Sequence, residues 1–266
     1  MQALPFAFLA IVFYLGAGSW QGLALLRRVP QRPALVRGIG LLAVLCHAVV
    51  VFASLGDLDT LTLGISASAS LISWLVAMLL LAVSFAKPVL SGAAGLFPLA
   101  AVTVLLVVGL PASGHREGLT PGIAVHILTS VLAFSLFAIA AVQAMLLARQ
   151  NSALRHHHTR GIVQTLPPLT TMERLLFELI WAGMLLLTAS LVSGMVFLDN
   201  IFAQHLVHKT VLSIAAWIIF ALLLAGHHVL GWRGAKAVRW TLGGCALLLL
   251  AYFGSKFALE VVLDRA

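Results

Sequence analysis

Ten histidines stand in a chain of 266 residues that is 62% hydrophobic and only 9% charged, and several of them fall at the ends of apolar runs. An imidazole is costly in lipid and is the commonest side-chain ligand for metals, so such a set in such a chain points to metal or iron-porphyrin chemistry. The competing reading, for any one histidine taken singly, is a polar cap at the membrane–water interface. Position separates them. His126 opens one apolar run and His208 opens another, with His205 one helical turn before His208. His47 sits in the middle of a run, and His227 and His228 close one. His115 lies in a short loop beside Pro111 and Gly114, and His156, His157 and His158 form the kind of tract that binds metal adventitiously in solvent.

Two imidazoles on separate helices suit a heme iron, which takes one axial ligand from each side of its ring. His126 and His208 are the candidates for that role, with His205, His47 and His227 as further cofactor contacts. Catalytic zinc wants three protein ligands, which His126, His205 and His208 could supply. No HExxH pattern and no carboxylate with a hydrolytic role accompanies them, so zinc hydrolysis is the weaker reading. P-loops, nucleophile elbows and paired carboxylates are missing as well. A heme at the membrane surface turns its two propionates toward water and cations. Lys209 directly follows His208, and Lys256 lies four residues before Glu260 in the last apolar run. The plainer roles are snorkelling for Lys209 and an i,i+4 surface pair for Lys256 and Glu260.

The elements that must position these residues are membrane helices. A soluble domain carries about 25% charged residues, far above this chain, whose mean hydropathy is +1.09. Apolar runs predict an all-α polytopic bundle of eight spans, at about 4–26, 38–55, 65–86, 94–111, 122–148, 173–198, 209–231 and 239–262. The third span carries Ser66, Ser68, Ser70 and Ser73, a composition that faces other helices better than lipid. The connection 149–172 is basic and ends in Pro167-Pro168, with Thr170 or Thr171 expected to cap the next helix before Glu173. Cys46 and Cys245 lie inside apolar runs with no CxxC pair, so buried packing is expected of both.

Basic residues fix the orientation. Arg27, Arg28, Arg32, Arg37, Lys87, Arg149, Arg155, Arg160, Arg174, Arg233, Lys236 and Arg239 gather on one side of the alternating loops. The other side holds Arg116, Lys209, Lys256 and Arg265 among acids such as Asp57, Asp59, Glu117 and Asp199. The positive-inside rule places the first set in the cytoplasm and both termini outside. The net charge of +8 follows from this sidedness, and no nucleic-acid partner need be invoked. The first run has no basic residue before it and Arg27-Arg28 after it, which reads as a retained anchor with its N-terminus outside.

One stretch carries a family resemblance. Residues Gln204 to Phe257 contain His208-Lys209-Thr210-Val211-Leu212-Ser213 and Trp217, then Gly231-Trp232-Arg233-Gly234, then Tyr252-Phe253-Gly254. This pattern resembles the C-terminal part of the CcsA/CcmC-type cytochrome c assembly proteins, and is most similar to their short YpjD/HemX-like branch. His126-Ile127-Leu128 through Leu132-Ala133-Phe134 is similar to the family helix that brings an outer-face heme-ligand histidine, and Ser70, Ser73 and Trp74 are weakly similar to another. The resemblance implies a single domain over 1–266, with its family part at about 40–262, in a bacterial inner membrane. It implies heme as cofactor and a membrane partner in the cytochrome maturation machinery. His47 and the His227-His228 pair are similar to the family's membrane histidines. The chain departs from the family in two places. Its tryptophans, at 20, 74, 181, 217, 232 and 240, form no WWD segment, and no second flanking histidine follows Gly254. Direct delivery of heme to an apocytochrome is therefore not implied. His208 falls where the tryptophan-rich segment would enter the next helix and is positioned to substitute for the absent ligand.

Three function classes stay open on these residues. They are a heme-binding accessory factor in cytochrome c assembly or heme homeostasis, a non-enzymatic scaffold of the same fold without heme, and a small-solute carrier. A carrier would show discontinuous helices or inverted repeats, which the sequence lacks, and acids deep in its spans are nearly missing.

Overall fold

The computed structural model describes residues 3–55, 60–62, 64–110, 116–118, 120–156, 161–197 and 204–254. Within them run eight helices long and apolar enough to cross a membrane. These are α1 (Leu4–Leu25), α2 (Pro33–Leu55), α3 (Ile65–Ser84), α4 (Ala93–Gly109), α5 (Pro121–Arg155), α6 (Leu169–Phe197), α7 (Gln204–Leu230) and α8 (Gly234–Leu249). A single 3-10 turn, Leu90–Gly92, leads into α4, and α8 passes into a π-helical turn at Leu250–Gly254.

The helices sort into two groups of four by their contacts. In the first, α1 packs on α2 and α4, and α3 packs on the same two. In the second, α5 packs on α6 and α8, and α7 packs on the same two. Packing of α3 on α5 joins the groups. Each group is thus a closed ring of up-and-down helices, the simplest way for four amphiphilic rods with short connections to satisfy one another.

Local chemistry accounts for the helix ends. Thr120 caps α5, its Oγ1 accepting from the Ile123 N–H at 3.4 Å, with Pro121 in the first helical position. The turn from α7 to α8 needs two left-handed residues, and both are glycines: Gly231 at φ +64° and Gly234 at φ +57°. Glu173 of α6 then caps α8, its Oε1 accepting the Gly234 N–H at 2.7 Å. Pro98 lies inside α4, where its ring packs over Gly18; a Cβ there would meet Pro98 Cδ at 2.8 Å.

Several boundaries differ from expectation. α2 begins at Pro33, α6 at Leu169, α7 at Gln204 and α8 at Gly234, each several residues early, and α5 runs on to Arg155. Apolar periodicity marks only the part of a helix in lipid, whereas each of these extra turns carries polar or charged residues, such as Arg37, Thr170, Gln204 and Lys236, or, at the end of α5, Arg149 to Ser152. Thr170 and Thr171 consequently lie in the first turn of α6 rather than capping it, and the Pro168 carbonyl accepts the Met172 N–H. Two three-residue strands, β1 (Thr60–Thr62) and β2 (Arg116–Gly118), pair antiparallel between the outer ends of the helices. They are a small addition to an otherwise helical chain, in segments that read as loops.

The α3 serines behave as expected: Ser66, Ser68, Ser70 and Ser73 are all buried, in the most enclosed of the eight spans. Cys245 is buried and directs its thiol at the Phe137 carbonyl, 3.4 Å away. Cys46 is only half-buried, because it lies on a side of α2 that the bundle does not cover.

Candidate functional site

Three histidines meet the rest of the bundle in distinct ways. His47, fully buried, has both ring nitrogens engaged: Nδ1 with the Tyr14 hydroxyl at 3.2 Å and Nε2 with Ser70 Oγ at 3.0 Å. The network continues through the Ser70 carbonyl, which accepts from Ser73 Oγ at 3.0 Å, to Thr103 Oγ1 at 2.5 Å. Polar groups of α1, α2, α3 and α4 are thereby satisfied within the first ring. Any ligation of iron by His47 requires one of these bonds to break.

His126 differs. It lies half-buried on the second turn of α5, with Nδ1 2.9 Å from the Ser190 carbonyl and 3.4 Å from Ser193 Oγ on α6. A carbonyl can only accept, so Nδ1 carries the proton and Nε2 presents its lone pair. Nε2 meets no hydrogen-bond partner among the described residues. An imidazole anchored by Nδ1–H to a carbonyl, with Nε2 open, is the arrangement by which proteins orient a metal-ligating histidine. The close approach of α5 and α6 makes it possible. A Cβ on Gly122 would overlap the Phe197 ring, and one on Gly183 would meet Phe137 at 2.9 Å, so both glycines admit an aromatic ring between the helices. Ser130 adds a bond to Ser190 Oγ at 2.6 Å.

Lys209 comes to the same place from α7. Its ammonium sits 5.0 Å from the centre of the Tyr252 ring. Tyr252 and Phe253, in the π turn after α8, pack tilted and edge-on, respectively, against Phe134 of α5, at 6.3 and 5.8 Å between centroids. Trp217 of α7 donates to Thr188 of α6 at 2.9 Å. The outer end of the second ring thus gathers an open imidazole nitrogen, an ammonium and several aromatic rings.

His208, one residue from Lys209, is exposed, since adjacent helical residues point about 100° apart. The structure packs Lys209 on Tyr252 and leaves His208 exposed on α7. His205 belongs to the first turn of α7, its side chain outside the described residues, and Lys256 lies outside them altogether. His115, His157 and His158 are outside as well. Among the described residues no three His, Cys, Asp or Glu side chains gather as a metal site.

His227, at the inner end of α7, repeats the His126 pattern. Its Nδ1 lies 2.9 Å from the Trp232 carbonyl, and its ring stacks on Phe177 at 3.6 Å between centroids. His228 packs edge-on beside it and tilts toward Trp181 at 5.9 Å. Trp232 and Trp240 pair at 5.2 Å, with the Lys236 ammonium 4.3 Å above Trp232. Three of the six tryptophans, scattered in sequence, therefore converge on this inner end. Ser190 and Ser193, which hold His126, were not anticipated. Their i,i+3 spacing inside an apolar span was the available signal, because paired polar residues there face another helix.

Fold and sites define a polytopic helical membrane protein with anchored histidines at both ends of its second four-helix ring. The chain belongs to the cytochrome c assembly protein family, which it matches over residues 35–263. It is 37% identical over 148 residues to the inner membrane protein YpjD of Escherichia coli K12, a stretch covering 56% of each chain. It is also 36% identical over 157 residues to an uncharacterized 28.8 kDa protein in the nifR3-like 5' region of Azospirillum brasilense, covering 58% of each. These stretches span just over half the length of the curated relatives. No solved structure matches the chain.

Proposed function

We propose that this chain is a heme-binding accessory protein of cytochrome c assembly or heme homeostasis, seated in the bacterial inner membrane as the name of the Escherichia coli relative says of that protein. The observation that carries the reading is the His126 ring, whose Nδ1 is fixed on a backbone carbonyl and whose Nε2 is left open. Imidazole nitrogen is a proper axial donor for heme iron, and aromatic walls suit a flat porphyrin, so the residues present fit the group. Bound there, heme would supply its own iron redox chemistry; the protein supplies the donor, the orientation and the dielectric.

His126 is the proposed heme ligand at the outer face, and His208 or His205 on the first two turns of α7 would supply a second imidazole, His208 by turning in from its exposed side. Lys209 and Lys256 are the proposed cations for the propionates. His227, anchored in the same manner at the inner end, is the proposed contact for heme on the cytoplasmic side. His47 is the weakest of the candidate ligands, since its two nitrogens are already satisfied.

An absorption spectrum of the protein purified from heme-replete membranes tests this. A Soret band, with split visible bands on reduction, is expected for two-histidine ligation. A colourless protein that still copurifies with membrane partners would leave the scaffold reading in its place.

A further inference from the structure

We infer that the cytoplasmic end of α1 is a binding site for the phosphate headgroup of an anionic lipid. The inference is independent of heme. A cavity of about 540 Å³ opens there, lined by Arg27, Arg28, Gln31, Gln164 and Thr165 among others, and no acidic side chain among the described residues borders it. Two guanidiniums and the remaining N–H groups of two carboxamides around one open space form a donor set for a phosphate oxyanion.

Two features show that the site is assembled rather than incidental. The first is backbone conformation. α1 ends in a Schellman motif: the Arg28 N–H donates to the Leu23 carbonyl at 2.9 Å, and the Arg27 N–H to the Ala24 carbonyl at 3.0 Å. The residue in the left-handed position of that motif is ordinarily glycine. Here it is Arg27, at φ +59°, which is the one non-glycine residue with positive φ among those described. A side chain is therefore retained where the backbone disfavours one, and it aims a guanidinium into the cavity.

The second feature is the far wall. Residues of the α5–α6 connection are drawn onto the end of α1: Thr165 Oγ1 donates to the Leu25 carbonyl at 3.2 Å, and Gln31 donates to the Thr165 carbonyl at 3.4 Å. Gln164 Oε1 accepts from the Arg27 guanidinium. That bond occupies one of the five guanidinium N–H groups, and Arg28 makes none with Gln164.

Depth selects the source of the phosphate. The cavity lies at the last turn of a membrane-spanning helix, on the basic face, beside the exposed Leu23 and Leu26. A headgroup seated there leaves its acyl chains along those leucines, whereas free phosphate gains nothing from them. Basic pockets at this depth on the cytoplasmic side are the usual seats of anionic headgroups.

The test uses the full chain equilibrated with vesicles of mixed phosphatidylglycerol and phosphatidylethanolamine, the lipid retained after purification being counted by native mass spectrometry. Wild type should enrich phosphatidylglycerol, and raising the ionic strength should reduce that enrichment. Arg28→Gln should cut it about fivefold with the Arg27–Gln164 bond intact, and Arg27→Gly with Arg28→Gln about thirtyfold, roughly a factor of five from each cation. Glycine suits the left-handed position, so this variant keeps its fold. Arg155→Gln with Arg239→Gln, exposed on the same face away from the cavity, should leave enrichment unchanged. Equal enrichment in wild type and the Arg27/Arg28 variant overturns the proposal, as does an equal loss in the Arg155/Arg239 variant. Thermal protection by inorganic phosphate alone, without selection between the two lipids, overturns the lipid as the source.

Discussion

His47 and His126 sit in the two four-helix rings and receive opposite treatment. His47 is closed off: a tyrosine hydroxyl and a serine hydroxyl take both nitrogens, and no ring edge is left for a ligand. His126 is half finished: a carbonyl takes Nδ1, and Nε2 stays open at the rim. Both are histidines in apolar spans, and both would be marked alike by their cost in lipid. What separates them is how many of the two ring nitrogens the fold satisfies. A histidine satisfied twice stabilises packing, and one satisfied once on a carbonyl is poised as a donor.

The largest effect that would sharpen this contrast is on heme content. His126→Ala, alone or with His208→Ala, should reduce bound heme to background by pyridine hemochrome assay, while His47→Ala retains it in whatever protein folds. Heme retained by the His126/His208 double variant and lost by His47→Ala would invert the comparison and remove the outer site. Next comes stability. His47→Ala strands the Tyr14 and Ser70 hydroxyls in the core, and each buried orphan costs about 1–3 kcal/mol, so thermal unfolding in detergent should shift clearly downward. His126→Ala, at a half-exposed rim, should shift it far less. Tyr14→Phe removes one bond of the same network and should cost about 0.5–1.5 kcal/mol, with heme content unchanged. The smallest effect belongs to Glu178→Gln. It breaks the 2.9 Å ion pair with Lys87, whose partners are 38% and 42% exposed, and such surface pairs contribute about 0–1 kcal/mol.

Much of this architecture could be read from the residues, and the reasons are physical. A bilayer demands about 20 apolar residues per crossing, so eight runs announce eight helices. The four α3 serines announce a packed face, because lipid does not tolerate them. The Gly231-Trp232-Arg233-Gly234 motif was legible as a resemblance, and the structure supplies its cause: left-handed glycines at both ends of the motif that turns α7 into α8, with Glu173 completing the helix start. Other features were not legible. The polar extensions of α5 and α7 carry little apolar signal, and Arg37 interrupts that of α2. The anchoring of His126 rests on the Ser190 carbonyl, and a main-chain acceptor is marked in the sequence only indirectly, through the i,i+3 serines around it. The orientation of His208 depends on the rotation of α7 about its axis. The pairing of His208 with His126 rested on each opening an apolar run at the outer face, whereas the rotation that packs Lys209 on Tyr252 leaves His208 exposed.

α5 is 35 residues long. At about 1.5 Å per residue it reaches roughly 52 Å, against about 30 Å of hydrocarbon. It touches α3 of the first ring as well as α6 and α8 of its own, so one unbroken rod serves as the party wall of both. His126 is near its outer tip, and Gln150, whose side-chain amide donates to the Pro167 carbonyl at 2.9 Å, is near the other. The rod therefore behaves as a mechanical datum: the outer histidine and the cytoplasmic connection are surveyed from the same line, and neither can be displaced along the membrane normal without carrying the other.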